Sequence, residues 1–215
     1  MSIVTGFTFN AFQENTYIIK DEKTDRSVII DPGCHSEEEK QEILTHIKDN
    51  HLDISAIINT HCHADHVFGN AFLKQRFPDA PLCIHKGELI VLESYPAFAA
   101  MYGIPAEPSP KPDQYFEDGE IFTFGETKLK VFFTPGHSPA SLSFYNEEDG
   151  YIIGGDVLFR QSIGRTDLPG GDYATLITSI KNHFLSLPDN VVVYSGHGPD
   201  TTIGFERRNN PFLNQ

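Results

Sequence analysis

The chain is 215 residues long, 39% hydrophobic and 21% charged, with a formal net charge of −14. That length and apolar content support a substantial core, in one domain or a fused pair of similar halves, and exclude a disordered chain. Lys and Arg are scattered, with only Arg207 and Arg208 adjacent, so the basic footprint that a nucleic-acid partner requires is missing.

No apolar run approaches the length of a membrane span. Met1 to Gly6 carries neither a basic nor a long apolar segment, and three cysteines make no disulfide framework. Cytoplasm is the expected compartment, with no membrane partner. Oligomeric state is not legible.

In chain order, Ile3 to Phe9 and Thr16 to Lys20 read as strands around a turn at Gln13-Glu14-Asn15. Arg26 to Asp31 is a third strand ending in Asp31-Pro32-Gly33. Ser36, with Glu39 three residues on, opens a helix whose apolar stripe is Ile43, Leu44 and Ile47. A strand at Ala56-Ile57-Ile58-Asn59 leads to the loop Thr60–His66, and a helix from about Val67 to Phe77 follows. Leu82-Cys83-Ile84 is a short buried strand.

From about 86 to 116 the pattern changes. Leu89 to Tyr102 reads as a helix interrupted at Pro96, followed by Pro105, Pro108, Pro110 and Pro112. Two readings stand side by side: an insertion covering the site, with Phe98, Met101, Tyr102 and Tyr115 as apolar walls, or a packed helical hairpin with no ligand role. Strands resume at Ile121–Phe124, Lys128–Phe133, Ser141–Tyr145 and Tyr151–Gly154. Asp172 caps a helix with Leu176, Ile177, Ile180 and Phe184 inward, and Val191–Tyr194 is the last strand. No linker divides the chain, so residues 1–215 read as one domain.

The chemistry sits at strand ends. Thr60-His61-Cys62-His63-Ala64-Asp65-His66 lies between a strand and a helix, where open α/β sheets place ligand sites. Imidazole and carboxylate suit zinc and similar divalent metals. In an extended loop His61, His63 and Asp65 share a side and His66 sits where the helix begins, so one loop can serve two adjacent metals. A solvated His-rich turn is the plain alternative. Three more polar turns follow apolar strands: Thr134-Pro135-Gly136-His137, Gly154-Gly155-Asp156 and Ser195-Gly196-His197-Gly198. Cys62 should alternate to the opposite face, and Cys34 and Cys83 read as small buried apolar residues.

With these motifs in this order, the sequence resembles the metallo-β-lactamase-fold hydrolase superfamily across essentially its whole length. The resemblance implies an α/β fold, a four-layer αββα sandwich of two mixed sheets with helices outside, and a two-metal site. It implies that His61, His63 and His137 hold one metal, that Asp65, His66 and His197 hold the other, and that Asp156 bridges them. Asp31 lies behind these residues and orients them. The metals are expected to be zinc, with iron or manganese as alternatives. A metal-bridging hydroxide is the expected attacking group, with Asp65 as a proton relay.

Gly164-Arg165-Thr166-Asp167, the stretch Gly198–Gly204 and Asn210-Pro211-Phe212-Leu213 resemble the glyoxalase II-like branch in its short single-domain form. That branch implies hydrolysis of a small-molecule thioester, S-lactoylglutathione or a related hydroxyacyl thioester. Arg165, Arg207, Arg208 and Tyr102 are the candidates for holding it, although Arg165 pairing with Asp167 is the favoured reading of that residue. The nearest rival is a persulfide dioxygenase with one iron on the same donor set. A lactone or phosphoester hydrolase and a non-catalytic metal-binding module are further alternatives.

Overall fold

The computed structural model describes residues 1–213. Its first sheet runs in the order β1 (Ser2–Phe9), β2 (Glu14–Asp21), β3 (Arg26–Ile30), β4 (Asp53–Ile58), β5 (Leu82–Ile84), β6 (Gln114–Tyr115). Strands β1 to β3 form an antiparallel meander and β3 to β6 are parallel. Parallel neighbours need crossovers. These are α1 (Glu37–Asp49) between β3 and β4, α2 (Ala64–Val67) and α3 (Asn70–Arg76) between β4 and β5, and α4 (Leu89–Met101) between β5 and β6.

The second sheet contains β7 (Ile121–Phe124), β8 (Thr127–Phe133), β9 (Leu142–Asn146) and β10 (Tyr151–Gly155). A hairpin of β11 (Leu158–Phe159) and β12 (Ser162–Ile163) follows, then α5 (Tyr173–Ser179), which continues into a π-helical turn at Ile180–Phe184. Strands β13 (Val192–Ser195) and β14 (Thr201–Thr202) complete the sheet in the order β14-β13-β10-β9-β8-β7, and α6 (Ile203–Asn209) ends the described chain.

Val28-Ile29-Ile30 and Ala56-Ile57-Ile58 are apolar at every position because both faces of these strands are covered. Ile19, Val28, Ile30 and Ile58 point inward against Leu129, Val131, Phe144 and Ile153 of the other sheet. Ile18, Ile29 and Ile57 point outward beneath Ile43 and Ile47 of α1 and Leu73 of α3. On the far side Leu176, Ile180, Phe184 and Ile203 cover Phe132, Ile152 and Val193. Each fully buried Ile or Leu contributes about 2–3 kcal/mol. The result is the expected order of layers, helix, sheet, sheet, helix.

The expected capping box forms: Ser36 Oγ accepts from Glu39 N at 3.2 Å and Glu39 Oε2 accepts from Ser36 N at 2.9 Å. Three local expectations change. Strand β2 starts at Glu14, because Asn10 and Gln13, with φ of 54° and 56°, complete the turn earlier. The helix expected from Val67 to Phe77 is two pieces, broken at Gly69. There the Gly69 N–H donates to Pro32 O at 2.7 Å, and an added Cβ would lie 2.6 Å from Cys34 Sγ. The loop after β3 packs too close for one straight axis. In contrast, α4 runs unbroken through Pro96: Leu92, Tyr95 and Ala99 pack on Cys62, Val67 and Ile84 on both sides of the proline.

Asp21 ties the two sheets at the edge away from the strand-end loops. Its Oδ1 accepts from Thr24 N at 3.0 Å and Thr24 Oγ1 at 2.8 Å; its Oδ2 accepts from Glu126 N at 3.1 Å and Thr127 Oγ1 at 2.7 Å. Burial works against the charge, but these donors hold the carboxyl at about 2. An amide cannot accept on both sides, so Asp21→Asn is expected to lose about 2 kcal/mol at pH 7. The folded-state value lies below the unfolded one. The carboxylate's contribution is therefore complete above about pH 4 and fades as pH falls toward 2. Urea unfolding midpoints of the two proteins should differ most above pH 5 and converge in acid. A constant difference at every pH would show that the charge is not the cause.

Candidate metal centre

The donor residues all sit where strands end, at one edge shared by both sheets. Asp31 follows β3, His61 and His63 follow β4, His137 follows β8, Asp156 follows β10 and His197 follows β13. Asp65 and His66 lie in the one-turn helix α2. Two glycines let these turns close. Gly155 has φ +51°, and a Cβ on Gly196 would lie 2.2 Å from Asp156 Oδ1 and 2.8 Å from His66 Cε1.

The structure brings His61, His63, Asp65, His66, His137, Asp156 and His197 together. The ring centroids of His61 lie 4.8 Å from His63 and from His137, and 4.1 Å from His66. Asp156 stands between two groups: its Oδ2 is 3.4 Å from His137 Nε2 and 3.5 Å from His197 Nε2, and its Oδ1 is 3.5 Å from His66 Nε2. Asp65 Oδ2 is 3.2 Å from His197 Nε2. The donor atoms of His61, His63 and His137 lie within 4.8 Å of one another, as do those of Asp65, His66 and His197.

Protein groups fix which nitrogen faces the centre. The Thr60 hydroxyl donates to Asp31 Oδ2 at 2.6 Å. It therefore accepts at 3.0 Å from His61 Nδ1–H, which leaves a lone pair on His61 Nε2. His137 Nδ1 donates to Arg165 O at 2.8 Å and His197 Nδ1 to Phe12 O at 3.1 Å, so their Nε2 atoms also face inward as lone pairs. His66 Nδ1 lies 3.1 Å from Asp31 Oδ2. Carboxylate or carbonyl partners on the far nitrogen are the usual support of metal-binding imidazoles. His63 Nδ1 points at His137 Nε2 across 2.9 Å.

Electrostatics divide the cluster. Burial, reinforced by neighbouring imidazoles, holds His61 well below its ordinary range and His63 at about 3, so both are neutral. Burial raises Asp156, but His66, His137 and His197 outweigh it and keep the carboxylate ionised. Burial likewise lowers His66, and Asp156, Asp65 and Asp31 overcome it and draw positive charge there. His61 Nε2, His66 Nε2 and Asp156 Oδ1 are buried without a hydrogen-bond partner. The neutral imidazoles of His61 and His63, the ionised Asp156 carboxylate and these unpartnered inward atoms fit divalent cations.

The remaining candidates divide. Arg165 and Tyr102 line the cavity over the centre. Arg165 is bound to Asp167 through Nε and NH2, both at 2.7 Å. Arg207 and Arg208 are not at the site. They pair with Asp189, and Arg207 also donates to Leu185 O and Leu187 O, because α6 turns both toward the loop before β13. Of the expected walls, Phe98 and Tyr102 line the cavity, whereas Met101 is 81% exposed and Tyr115 lies on the edge strand β6. Cys62 is fully buried, and burial together with Glu88 pushes its thiol well above the ordinary range, so it offers no thiolate.

Sequence reasoning missed three residues. Asn15 donates through Nδ2 to Ser195 O at 3.0 Å and Gly198 O at 2.8 Å, stitching β2 to the His197 loop. Glu14 is buried 3.8 Å from His66 Nδ1. Glu88 accepts from Cys62 N at 2.9 Å, Ser138 Oγ at 2.7 Å and Ala140 N at 2.8 Å, clamping the His61–His63 loop to the His137 loop. A glutamate beside a helix start carried no signal of this.

A sandwich of two sheets with a His/Asp donor cluster at one edge defines a candidate metal centre. A family model described as the metallo-beta-lactamase superfamily matches residues 9–197. The chain is 38% identical over 205 residues to hydroxyacylglutathione hydrolase GloC of Haemophilus influenzae, spanning 95% of this chain and 94% of that one. The crystal structure of BLEG-1 B3 metallo-beta-lactamase matches with a TM-score of 0.90 at 37% identity, over 99% of this chain and all (100%) of that chain. TTHA1623 in a di-iron-bound form matches with a TM-score of 0.87 at 39% identity, over 98% of this chain and 100% of that one. The chain belongs to the metallo-β-lactamase superfamily.

Glu88→Gln replaces one acceptor oxygen with a donor that faces donors. It is expected to weaken metal binding about tenfold, the lower end for groups that support ligands from behind. Chelator competition on folded variant and wild type checks this. Equal affinities would show that the loops hold their positions without the clamp.

Proposed function

We propose that the chain hydrolyses thioesters, S-lactoylglutathione or a related hydroxyacyl thioester, with a pair of divalent cations, zinc in this reading. The observation that carries it is the position of Asp156 between a three-imidazole group and an Asp65-His66-His197 group. The similarity to a relative named hydroxyacylglutathione hydrolase supports the substrate class.

In this reading His61, His63 and His137 hold one cation, Asp65, His66 and His197 hold the other, and Asp156 serves both. Such a pair supplies Lewis acidity and brings the pKa of water toward neutrality. The chain's own residues do the rest. Asp31, through the Thr60 hydroxyl, keeps His61 in the binding tautomer. Asp65, on the cavity wall, would accept a proton there. Phe12, Phe98, Tyr102 and Phe159 wall the cavity and hold a bound thioester out of bulk water. A thiolate leaving group suits such a centre, since it departs without needing a strong acid.

The test pairs metal content with activity on one preparation. About two metals per chain and cleavage of S-lactoylglutathione are expected, and Asp156→Ala should lose both metal and at least about 100-fold in kcat. His197→Ala should lose one metal selectively. The di-iron-bound neighbour keeps iron in play, so oxygen uptake with glutathione persulfide is followed in parallel, and a β-lactam serves as a further substrate because of the BLEG-1 neighbour. One iron per chain with oxygen uptake would make the protein a persulfide dioxygenase and overturn the hydrolase reading.

A further inference from the structure

The space above the donor cluster has two compartments. The larger has a volume of about 370 Å³ and is lined by His63, Asp65, His137, Asp156 and His197, with Phe12, Tyr102 and Phe159 around them. The smaller has a volume of about 80 Å³ and adjoins it at His63, Phe98 and Leu168, which line both. The larger volume falls in the range of ligand pockets, and the smaller is a side pocket of it sized for a short chain.

One wall of the smaller compartment is a stripe of α4. Val91, Ser94, Tyr95 and Phe98 recur at the spacing that puts side chains on one helix face. Leu168, Pro169 and the segment 62–64 complete the lining. The polar groups of the α4 wall are spent on the protein: Ser94 Oγ donates to Val91 O at 3.0 Å and the Tyr95 hydroxyl donates to Glu107 O. Apart from His63, what the compartment presents to a ligand is mostly carbon.

Charge sorts the possible occupants. Among the residues lining the two compartments, Arg165 is the single Arg or Lys, and its guanidinium fork is occupied by Asp167. Glutathione carries two carboxylates, which would meet no unpaired cation here. Desolvating an unpaired carboxylate is strongly unfavourable. An apolar chain in the annex gains with every methylene buried.

Resting on the thioester-hydrolase reading, we infer that the annex between α4 and Leu168-Pro169 binds the acyl chain, and that the substrate is a thioester whose acyl group is longer and more apolar than lactoyl. The annex begins beside His63, so a group reaching it must be joined directly to the reacting carbonyl. Biological thiol carriers are the long half of a thioester and need the larger compartment; the short acyl half takes the smaller one. Recognition then comes from the acyl chain and not from the glutathione peptide.

The experiment uses the metal-loaded protein and N-acetylcysteamine thioesters of acetate, butanoate and hexanoate, with S-lactoylglutathione and S-hexanoylglutathione for comparison. The value of kcat/KM should rise about fourfold per added methylene until the annex fills. Exchanging N-acetylcysteamine for glutathione at constant acyl chain should change it much less. Val91→Phe should flatten the rise, and Val91→Ala should carry it to longer chains. Calorimetric titration with hexanoate gives a readout without turnover, with affinity about tenfold weaker for Val91→Phe than for wild type. A flat acyl series with thioesters still cleaved, hexanoate binding indifferent to Val91→Phe, or a stronger dependence on glutathione than on acyl length would overturn the annex assignment alone. A chain that cleaves no thioester would overturn the hydrolase reading and the substrate assignment with it.

Discussion

Four carboxylates lie between 3.1 and 3.8 Å from the ring nitrogens of His66, and the rest of the structure depends on holding them there. Glu14, Asp31, Asp65 and Asp156 would repel one another if all were ionised and unpartnered. The fold separates their tasks. Burial pushes Glu14 well up, which favours its neutral form. Asp31 takes two short bonds from Thr60, through N at 2.7 Å and Oγ1 at 2.6 Å. Asp65 and Asp156 keep their charge and line the cavity. The ionised Asp65 and Asp156 therefore face the open side, where a cation would arrive, and Glu14 and the hydrogen-bonded Asp31 face the core.

Such a cluster is possible only because two sheets end at the same edge. The two donor groups that meet at Asp156 each draw on both halves of the chain: His61 and His63 come from the first sheet and His137 from the second, and Asp65 and His66 meet His197 in the same way. The layers must therefore be fixed in sliding as well as in spacing. The interdigitated core between Ile30, Ile58, Val131 and Phe144 sets the spacing. Asn15 and the Tyr17 hydroxyl, which donates to Ser195 O at 2.7 Å, set the slide on the His197 side. Metal binding and the docking of the two sheets are accordingly one equilibrium seen from two sides.

This division explains what was legible in the sequence. The donors are legible because each is local: an apolar strand, a glycine or a polar turn, then His or Asp, all within a few residues. The layers are legible because Val28-Ile29-Ile30 and Ala56-Ile57-Ile58 have no polar face. Asn15 and Glu88 are not legible, because their partners lie 180 and 50 residues away and their residue types are ordinary on any surface. Arg207 and Arg208 mislead for the converse reason. A cation near the end of a site-bearing chain suggests an anionic ligand, but only the turn of α6 decides that Asp189 takes them. The break at Gly69 escapes because periodicity carries no term for a distant loop pressing on a helix.

Glu88 joins the two functions that the cavity divides. Its carboxylate holds the loops carrying His61, His63 and His137, and its backbone is the N-cap of α4, the helix whose Val91–Phe98 face walls the annex. The side chain is fully buried, so it cannot swing away and leave either task to water. Donor geometry and cavity shape thus share one fixed point. A substitution in α4 that tilts the helix about its start would pull on Cys62 N and Ala140 N, and so on the residues flanking three imidazoles. Selectivity at Val91 and Ser94 can vary freely only so long as Leu92, Tyr95 and Ala99 keep the helix seated on Val67 and Ile84. Leu92 and Ala99 are buried and seat the helix, Val91 and Ser94 line the annex, and Tyr95 does both, so cavity shape can change at Val91 and Ser94 while the metal centre stays fixed.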